Sequence, residues 1–437
     1  MKASILFSAL CMAWVSTQAS LPASRSSKST SAESPHLPVW KRRQTKHLRP
    51  VVEKREVPEP NTDGRGAPED EGQNIAIELQ NPSALNPPPT DGGMVPNLKW
   101  SFALSNTLKN KGGYIREQLE SDLPPSTDFA GAQNHLTKGS IRQMHWHSCS
   151  EWGYVTNGTV SISMVDNNGR NQVENATAGD IWFFPKGQPH VIQGLEDSNE
   201  YLLIFDTGDF ANEGVTFNVD DWLIHTPAEV LLKNFGLDNT STAFDHVDPS
   251  YGSINTGRVA DESVDSPFGQ LTGNASWYFP ASKMEFTQAP GGGGSYKRVD
   301  STNFPVSQKI VGQIVQVKPR GMREMHWHPN GVEWLYFQSG TARATVWWGA
   351  GNARTFDFTS GDTAVFPDNS GHYIENTSDT DDLFYLEIFN SDVVEDVSLT
   401  QWLALTPPDL VSQVLNVSID VVKALPKEKQ VILAAKP

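Results

Sequence analysis

Six histidines and two glutamates recur at matching positions in the two halves of this 437-residue sequence. Each half has a His-Trp-His triplet, a glutamate shortly after it and a third histidine further on. Residues i and i+2 of a β-strand face the same side, so both histidines of a triplet point together. Three imidazoles and a carboxylate converging inside a barrel predict a metal site. The predicted ligands are His145, His147, Glu151 and His190, and then His326, His328, Glu333 and His372.

The predicted ligand set favours a metal ion that keeps positions open for other ligands. A structural zinc would be closed by four protein ligands, whereas an octahedral ion retains two adjacent free positions. Oxygen affinity favours Mn or Fe, and the spacing does not decide between them. Cys149 lies between His147 and Glu151, and we interpret it as a structural residue. A chance core pattern of histidines is the alternative, and the repetition argues against it.

The elements that must position these residues are duplicated as well. The stretch RQMHWHSCSEW from Arg142 recurs as REMHWHPNGVEW from Arg323. Alternating stretches such as 158–165 predict short strands bounded by turns, with the third histidine two strands beyond each triplet. Only the stretches after Trp222 and Trp402 are typical of helices. The sequence therefore predicts an all-β fold with two tandem jelly-roll barrels and a few peripheral helices.

The chain divides into seven predicted segments. Lys2, an apolar run and small residues form a secretory signal that is too short to span a bilayer. A basic, Ser/Pro-rich stretch with dibasic pairs follows, which predicts a propeptide or a disordered segment. The segments are a signal peptide (1–19), the propeptide (20–57), an N-terminal extension (58–94), an N-terminal barrel (95–236), a linker (237–275), a C-terminal barrel (276–425) and a tail (426–437).

Composition narrows the function classes. The chain has 34 Lys+Arg against 51 Asp+Glu and a net charge of −17, which argues against nucleic-acid or anionic-membrane partners. Two cysteines exclude a disulfide scaffold. With the signal, six Asn-x-Ser/Thr sequons predict a secreted glycoprotein. The sequons start at Asn157, Asn175, Asn239, Asn274, Asn376 and Asn416.

The ligand spacing resembles the cupin superfamily. The first copy matches both cupin motifs: Gly139-x5-His145-x-His147-x3-Glu151-x6-Gly158 and Gly179-x5-Pro185-x-Gly187-x2-His190. The second copy departs from them at turns, with Arg320 in place of the first glycine and Pro367-Asp-Asn-Ser-Gly-His372 in place of the Pro-x-Gly pattern. The duplication, with an arginine three residues before each triplet, resembles the bicupin oxalate decarboxylases over roughly residues 95 to 425.

This resemblance implies Mn-dependent cleavage of oxalate to formate and CO2, with one Mn²⁺ per domain and O2 as co-catalyst. It implies that Arg142 and Arg323 polarise the substrate, and surface or interdomain salt bridges are the alternative role for these arginines. It implies that Glu213 is the general acid/base of a flexible lid, within an altered Asn212–Thr216 stretch where Gly214 would suit a hinge. A solvated loop residue is the alternative for Glu213. Glu387 matches a second-site carboxylate of the family.

Three other functions stay open at this stage, and the weakest of them is a different Mn or Fe cupin dioxygenase, because nothing in the sequence suggests a pocket for an aromatic substrate. Oxalate oxidase uses the same metal cage and produces CO2 and hydrogen peroxide, and the altered lid keeps it under consideration. A non-enzymatic bicupin, such as a storage or sugar-binding protein, is a third interpretation, but seed storage bicupins generally lack the ligands. Association of chains through the helices outside the barrels is also expected.

Overall fold

The computed structural model describes residues 74–248 and 253–436, so the predicted signal peptide and propeptide lie outside the described residues. Antiparallel strands are the main regular structure of the described chain. The first half contains β1 (Lys99–Ser101), β2 (Thr107–Asn110), β3 (Gly113–Gln118), β4 (Ala130–Leu136), β5 (Ile141–His147), β6 (Glu151–Asn157), β7 (Thr159–Val165), β8 (Asn171–Thr177), β9 (Ile181–Phe184), β10 (His190–Gly194), β11 (Asn199–Phe205), β12 (Thr216–Asn218) and β13 (Ile254–Asn255).

The second half repeats this series of strands. It contains β14 (Tyr278–Phe279), β15 (Thr287–Gln288), β16 (Gly294–Val299), β17 (Val311–Val317), β18 (Met322–Trp327), β19 (Glu333–Ser339), β20 (Thr341–Trp347), β21 (Ala353–Thr359), β22 (Asp362–Phe366), β23 (Gly371–Asn376), β24 (Leu383–Phe389), β25 (Val397–Ser398) and β26 (Ile432–Leu433).

Two sheets form each barrel. In the first barrel the strand orders are β14-β9-β6-β11-β4-β3-β2 and β12-β5-β10-β7-β8, with β13 added to β5. In the second barrel they are β1-β22-β19-β24-β17-β16-β15 and β21-β20-β23-β18-β25, with β26 added to β18. The predicted fold class, two tandem β-barrels, is confirmed.

Strand pairing crosses the segment boundaries that the sequence suggests. β1 lies within residues 95–236 but pairs with β22 of the second barrel. β14 lies within residues 276–425 but pairs with β9 of the first barrel. The two barrels therefore exchange an edge strand. β13 comes from the predicted linker and β26 from the predicted tail, and each extends the sheet that carries the His-Trp-His triplet.

The cores follow from the alternation of side chains along the strands. One apolar cluster fills each barrel, and a third lies between the two seven-stranded sheets. Glu151 faces the interior of the first barrel, whereas its neighbour Trp152 packs in the cluster between the barrels, where Trp334 also lies. The strands of the two seven-stranded sheets pack against apolar clusters on both faces, so almost all of their central residues are buried.

Short helices lie outside the barrels. They are α1 (Ile75–Gln80), α2 (Pro82–Leu85), α3 (Val219–Ile224), α4 (Ala228–Asn234), α5 (Leu399–Leu405), α6 (Pro408–Leu415) and α7 (Ile419–Lys423). The predicted helices after Trp222 and Trp402 are present, although α3 and α5 already include these two tryptophans. Within the described residues, no helix has the length and apolar character needed to span a membrane.

The two turns at which the second copy departs from the cupin motifs keep their backbone conformation. Gly139 has φ +77°, and Arg320 at the matching position has φ +58°. Gly187 has φ +78°, and Asn369 at its counterpart has φ +58°. Glycine adopts this left-handed region freely, whereas other residues adopt it at a small cost. The departures therefore change the residue but not the path of the chain to the ligands.

Candidate metal centres

The first candidate centre lies where two neighbouring strands of one sheet face the start of a strand in the other. His145 and His147 lie on β5, and His190 begins β10 opposite His145. The expectation that the third histidine follows two strands after the triplet is wrong, because four strands, β6–β9, intervene. The sheet order nevertheless returns β10 to a place beside β5. Glu151 is the first residue of β6 in the other sheet.

All four side chains of this centre are buried and converge. Their ligand atoms lie within 4.8 Å of one another. His145 Nε2 is 3.1 Å from His190 Nε2, and Glu151 Oε2 is 3.2 Å from His147 Nε2 and 3.5 Å from His190 Nε2. These spacings leave room for one ion between three nitrogens and a carboxylate oxygen.

The second candidate centre repeats this arrangement. Its four ligand atoms also lie within 4.8 Å of one another, and all four residues are buried. His326 Nε2 is 3.1 Å from His328 Nε2. Glu333 Oε2 is 2.9 Å from His372 Nε2 and 3.6 Å from His328 Nε2. The structure therefore brings each of the two predicted ligand sets together.

In each histidine, the hydrogen bond made by Nδ1 determines whether Nε2 is free to bind a metal. His145 Nδ1 is 2.6 Å from the Gln143 carbonyl oxygen, and His190 Nδ1 is 3.0 Å from that of Gln188. A carbonyl oxygen only accepts, so Nδ1 must carry the proton and Nε2 is left with its lone pair. His147 Nδ1 is 2.9 Å from the Thr216 hydroxyl, which donates to the Phe210 carbonyl oxygen.

The histidines of the second centre are oriented in the same way. The three Nδ1 atoms of this centre lie 2.7 to 2.9 Å from the carbonyl oxygens of Glu324, Glu395 and Ser370. Each Nε2 is therefore presented to the interior as an acceptor.

Orphaned polar atoms show that these centres fit a metal ion. Among the described residues, His147 Nε2, Glu151 Oε2, His372 Nε2 and both Glu333 carboxylate oxygens are buried without a hydrogen-bond partner. Leaving a buried polar group unpaired costs about 1–3 kcal/mol, and more for a charged one. A bound cation would satisfy these atoms together. Cys149 is not part of the cluster, because its thiol lies in the apolar core of the barrel.

The protonation states suit a cation as well. Burial lowers the pKa of His147 and of His328 to about 4 and holds the pKa values of His145 and His326 well below 6.5. Burial alone would raise the pKa of Glu151, but His190 and His147 lower it well below its usual range. Neutral imidazoles and an ionised carboxylate are the forms that bind metals.

A β-bulge brings Arg142 to the same side as the ligands. His145 follows Arg142 by three positions along β5, so regular alternation would place their side chains on opposite faces. The register shifts here, because Ile192 pairs with Arg142 whereas His190 pairs with His145. One extra residue in β5 reverses the alternation, and Arg142 is buried beside the centre. The same shift occurs between Arg323 and His326.

The two arginines have different partners. Arg142 Nη1 donates to the Ser253 carbonyl oxygen at 3.3 Å, and none of the described carboxylates forms an ion pair with its guanidinium. Arg323 is paired with both Glu387, at 3.3 Å, and Asp396. Burial lowers the pKa of Arg142, whereas Asp396 and Glu387 outweigh burial and raise the pKa of Arg323. Arg323 is therefore part of a buried ion-pair network within its own barrel, whereas Arg142 pairs with no described carboxylate.

Glu387 is buried among donors. Its carboxylate accepts from Gln313 Nε2 at 2.7 Å, from the Tyr385 hydroxyl at 3.1 Å and from Arg323. Burial raises the pKa of Glu387 and Arg323 opposes this effect. Since both oxygens accept hydrogen bonds, the geometry fits the ionised form.

Glu213 is placed outside the first centre. It lies in the loop between β11 and β12, where the four consecutive residues 211–214 are exposed. Both ends of this loop are anchored: Phe210 stacks on Phe205 with ring centroids 3.9 Å apart, and the Val215 carbonyl oxygen accepts from Ser148 N at 2.8 Å. Gly214 has φ +80° and open space around it. The structure does not bring Glu213 to the ligands.

Two residues near the first centre carry no signal in the sequence. Trp182 Nε1 donates to Glu151 Oε1 at 3.0 Å, and the ring fits because a Cβ at Gly153 would lie 1.9 Å from it. Tyr201 is buried near Arg142, and among the described residues its hydroxyl has no hydrogen-bond partner. Their roles depend on cross-strand register, which single-residue patterns do not encode.

Two barrels that each enclose a three-histidine, one-glutamate centre define a bicupin. The profile of the cupin family matches residues 102–243 and 287–423. A probable oxalate decarboxylase from Arthroderma benhamiae is 54% identical over 372 residues, which cover 85% of this chain and 92% of that protein. Oxalate decarboxylase OxdC from Bacillus subtilis is 40% identical over 383 residues, which cover 87% of this chain and 98% of that protein.

Solved structures agree with these relatives. The structure of Bacillus subtilis oxalate decarboxylase at pH 4.6 superposes with a TM-score of 0.80 at 39% identity, and the match covers 87% of this chain and 98% of that one. This chain belongs to the oxalate decarboxylase family of bicupins, as the motif spacing predicts.

The lowered histidine pKa values predict how metal retention depends on pH. Because His147 and His328 have pKa values of about 4 in the folded protein, protons should compete for the ligands only near that pH. Metal content should stay constant from pH 7 to 5 and fall at about pH 4. Stepwise dialysis followed by elemental analysis measures this. Release of metal with a midpoint near 6.5, the usual histidine value, would contradict it.

The same shifts predict the stability of the metal-free protein. Unfolded histidines take up protons as the pH falls through 6.5, whereas the buried ones do so only at about 4. The unfolded state therefore binds more protons in this window, and stability should decrease as the pH falls from 6.5 to 4. Thermal unfolding of the EDTA-treated protein at several pH values gives the slope.

Trp182→Phe should weaken only the first centre. Loss of the hydrogen bond to Glu151 is expected to lower metal affinity there by about 10- to 100-fold, the usual cost of removing a partner of a metal ligand. Trp277→Phe is the matched control, since Trp277 lies in the same core cluster. Competition with a chelator should release about half of the metal from Trp182→Phe at concentrations that leave the control loaded. Equal retention in both variants would count against this role.

Proposed function

We propose that this protein converts oxalate to formate and CO2 and that the first barrel carries out the reaction. One observation favours this barrel: Arg142 and Tyr201 are buried beside its metal centre without an anionic partner among the described residues. The three relatives at 40–54% identity are oxalate decarboxylases, one of them a probable one. The site contains the groups that this activity requires.

The chemistry of oxalate suits these groups. Oxalate is a small dianion with two carboxylates on adjacent carbons. The Arg142 guanidinium can hold one carboxylate by charge-assisted hydrogen bonds, and the Tyr201 hydroxyl can donate another. Both donors are enclosed, so water competes little for them and the interaction is stronger than at the surface.

We propose Mn²⁺ as the ion in both centres, with O2 as co-catalyst. Bacillus subtilis oxalate decarboxylase has Mn(II) centres. Manganese would supply free coordination positions that prefer oxygen ligands, and a one-electron redox couple, near the Arg142 side chain. His145, His147, Glu151 and His190 would hold the catalytic ion, and the second set would hold the other.

Proton transfer requires a group that can move, and we assign it to Glu213. Conversion of oxalate dianion to formate and CO2 takes up one proton and needs no net oxidant. The carbon that loses CO2 must receive that proton before the product leaves. Glu213 lies on the exposed four-residue tip of an anchored loop, and Gly214 provides the conformational freedom for closure.

Oxalate oxidation is the competing reaction on the same centre. It takes up O2 and two protons and gives two CO2 and one hydrogen peroxide, with no proton returned to carbon. The presence of Glu213, and the identity to named decarboxylases, favour decarboxylation.

Product analysis tests this function. Purified Mn-loaded protein incubated with oxalate under air should give one formate per oxalate consumed and little peroxide. A peroxide yield equal to oxalate consumption, without formate, would identify an oxidase instead. Unchanged oxalate over hours with both metal ions in place would favour a non-enzymatic bicupin.

Glu213→Gln tests the proton donor. It keeps the size and position of the side chain and removes the titratable proton, so formate production should fall by about 10²-fold or more. Oxalate binding should persist, since Arg142 is untouched. Glu229→Gln is a suitable control, because Glu229 is an exposed residue of α4 outside the lid. Full formate production by Glu213→Gln would remove this residue from its role.

We also propose that the chains associate through the helices outside the barrels. Large apolar side chains are exposed on these helices in both halves, including Trp222 (64% exposed) and Trp402 (56% exposed). On α6 and just beyond its end, Leu410, Val414 and Val417 are exposed as well. An apolar surface of this kind is unfavourable in water and suits contact with another copy.

Secretion remains a proposal, supported by the signal-like N-terminus and the sequons. The structure separates the sequons by accessibility. Asn376 is fully buried, and its amide donates to the carbonyl oxygens of Val317 and Asp381, at 2.9 and 2.8 Å. The side chains at the other five positions are exposed.

Glycan mapping tests the secretion proposal. When the full chain is expressed in a eukaryotic secretory host, folded protein from the medium should carry glycans at exposed sequons such as Asn274 and none at Asn376. Enzymatic deglycosylation with isotope labelling, followed by peptide mass spectrometry, locates them. Retention inside the cell without glycans would contradict secretion.

A further inference from the structure

The two centres differ in the charges that surround the arginine. Glu387 of the second barrel takes the position of Leu203 in the first. Each of these residues lies two positions before a phenylalanine, and that phenylalanine pairs with the ligand glutamate of its barrel. At the position of Thr216, two residues before the residue that pairs with the first histidine, the second barrel has Asp396. Two carboxylates thus replace an apolar and a neutral residue.

These two carboxylates occupy the donors that are unpaired in the first centre. Arg323 is paired with Glu387 and Asp396, and Tyr385 donates to Glu387 at 3.1 Å. Their counterparts Arg142 and Tyr201 have no such partners among the described residues. The donors that would bind a substrate carboxylate in the first barrel are therefore satisfied by the chain itself in the second.

Lys429 fixes Asp396 in this position. Its ammonium is paired with the Asp396 carboxylate and donates to the Asp396 carbonyl oxygen at 2.7 Å. Lys429 precedes β26, in which Ile432 is fully buried and pairs with Arg323. The Val431 carbonyl oxygen accepts from Arg323 Nη1 at 3.4 Å, which ties the segment to the same arginine. The C-terminal strand thus anchors the carboxylate over the second centre.

Charge balance opposes the entry of a dianion here. The cations Arg323 and Lys429 are matched by Glu387 and Asp396, and the Asp396 side chain is only 3% exposed. A second anion would have to lie beside two carboxylates in a low-dielectric environment, where like charges repel strongly. Displacing Asp396 instead would leave a buried charge unpaired, which is also costly.

We propose that Asp396, anchored by Lys429, is an internal anion that excludes oxalate from the second metal centre. This inference rests on the proposed function, since it assumes that oxalate is the ligand of the first centre. Asp396 is thereby a specificity-determining residue: the second centre keeps its metal ligands but its substrate-binding donors are already occupied.

Counting bound oxalate tests the proposal. Mn-loaded full-length protein is titrated with oxalate under argon by calorimetry, and its metal content is checked before and after. Wild-type protein should bind one oxalate per chain, whereas Asp396→Thr, which restores the residue of the first barrel, should bind two. Asp392→Thr is the matched control, because its side chain is an exposed carboxylate of the same loop between β24 and β25, and it should bind one.

The outcomes separate the two ideas. The gain of one site from wild type to Asp396→Thr tests the internal anion, and no gain in a variant that still holds two Mn would overturn it. The wild-type value tests the proposed function, which fails if no oxalate binds at all. If Asp396→Thr does not fold, electron paramagnetic resonance of the wild type decides. Oxalate should alter about half of the Mn(II) signal, and alteration of all of it would overturn the inference.

Discussion

The structure depends on one constraint, the convergence of three imidazole nitrogens and a carboxylate in a closed, apolar interior. Without an ion, such a cluster leaves polar atoms unpaired, as at Glu333 and His147. The barrel tolerates this because other contacts hold each side chain in place. Carbonyl oxygens orient the imidazoles through Nδ1, and burial keeps them neutral. The fold therefore positions the four ligands of each centre for a cation.

The sequence predicts the ligands well because their signal is local. Strand alternation is enough to align His145 with His147, and repetition in the second half supports the assignment. The bulge in β5 is not local in this sense: it depends on pairing with β10, so alternation alone would have turned Arg142 away from the ligands. The exchange of β1 and β14 between barrels is likewise set by tertiary contacts, and segment boundaries drawn from motifs miss it.

Other features could not be predicted because they lie in segments whose sequence shows no strand or helix periodicity. The predicted linker and tail each contain a two-residue strand, β13 and β26, that covers the arginine of a centre. Substitutions that compensate for one another between the two barrels also cannot be recognised from the sequence of one barrel alone. Gly153 with Trp182 in the first barrel becomes Leu335 with Ala364 in the second, which conserves volume across the same strand pair. Only Trp182 brings a donor to a ligand carboxylate.

The duplication has kept the metal sets and changed the charges around them. In the first centre a divalent ion and Arg142 would exceed the charge of Glu151, so the site as a whole would be positive and a dianion would balance it. The rest of the protein carries a net negative charge, so attraction at long range is weak and selection must act inside the barrel. In the second centre Glu387 and Asp396 offset two positive charges, so that even with Lys429 counted the site would be less positive than the first. One architecture thereby provides an open site for an anion and a closed one, and the difference lies in two side chains rather than in the ligands.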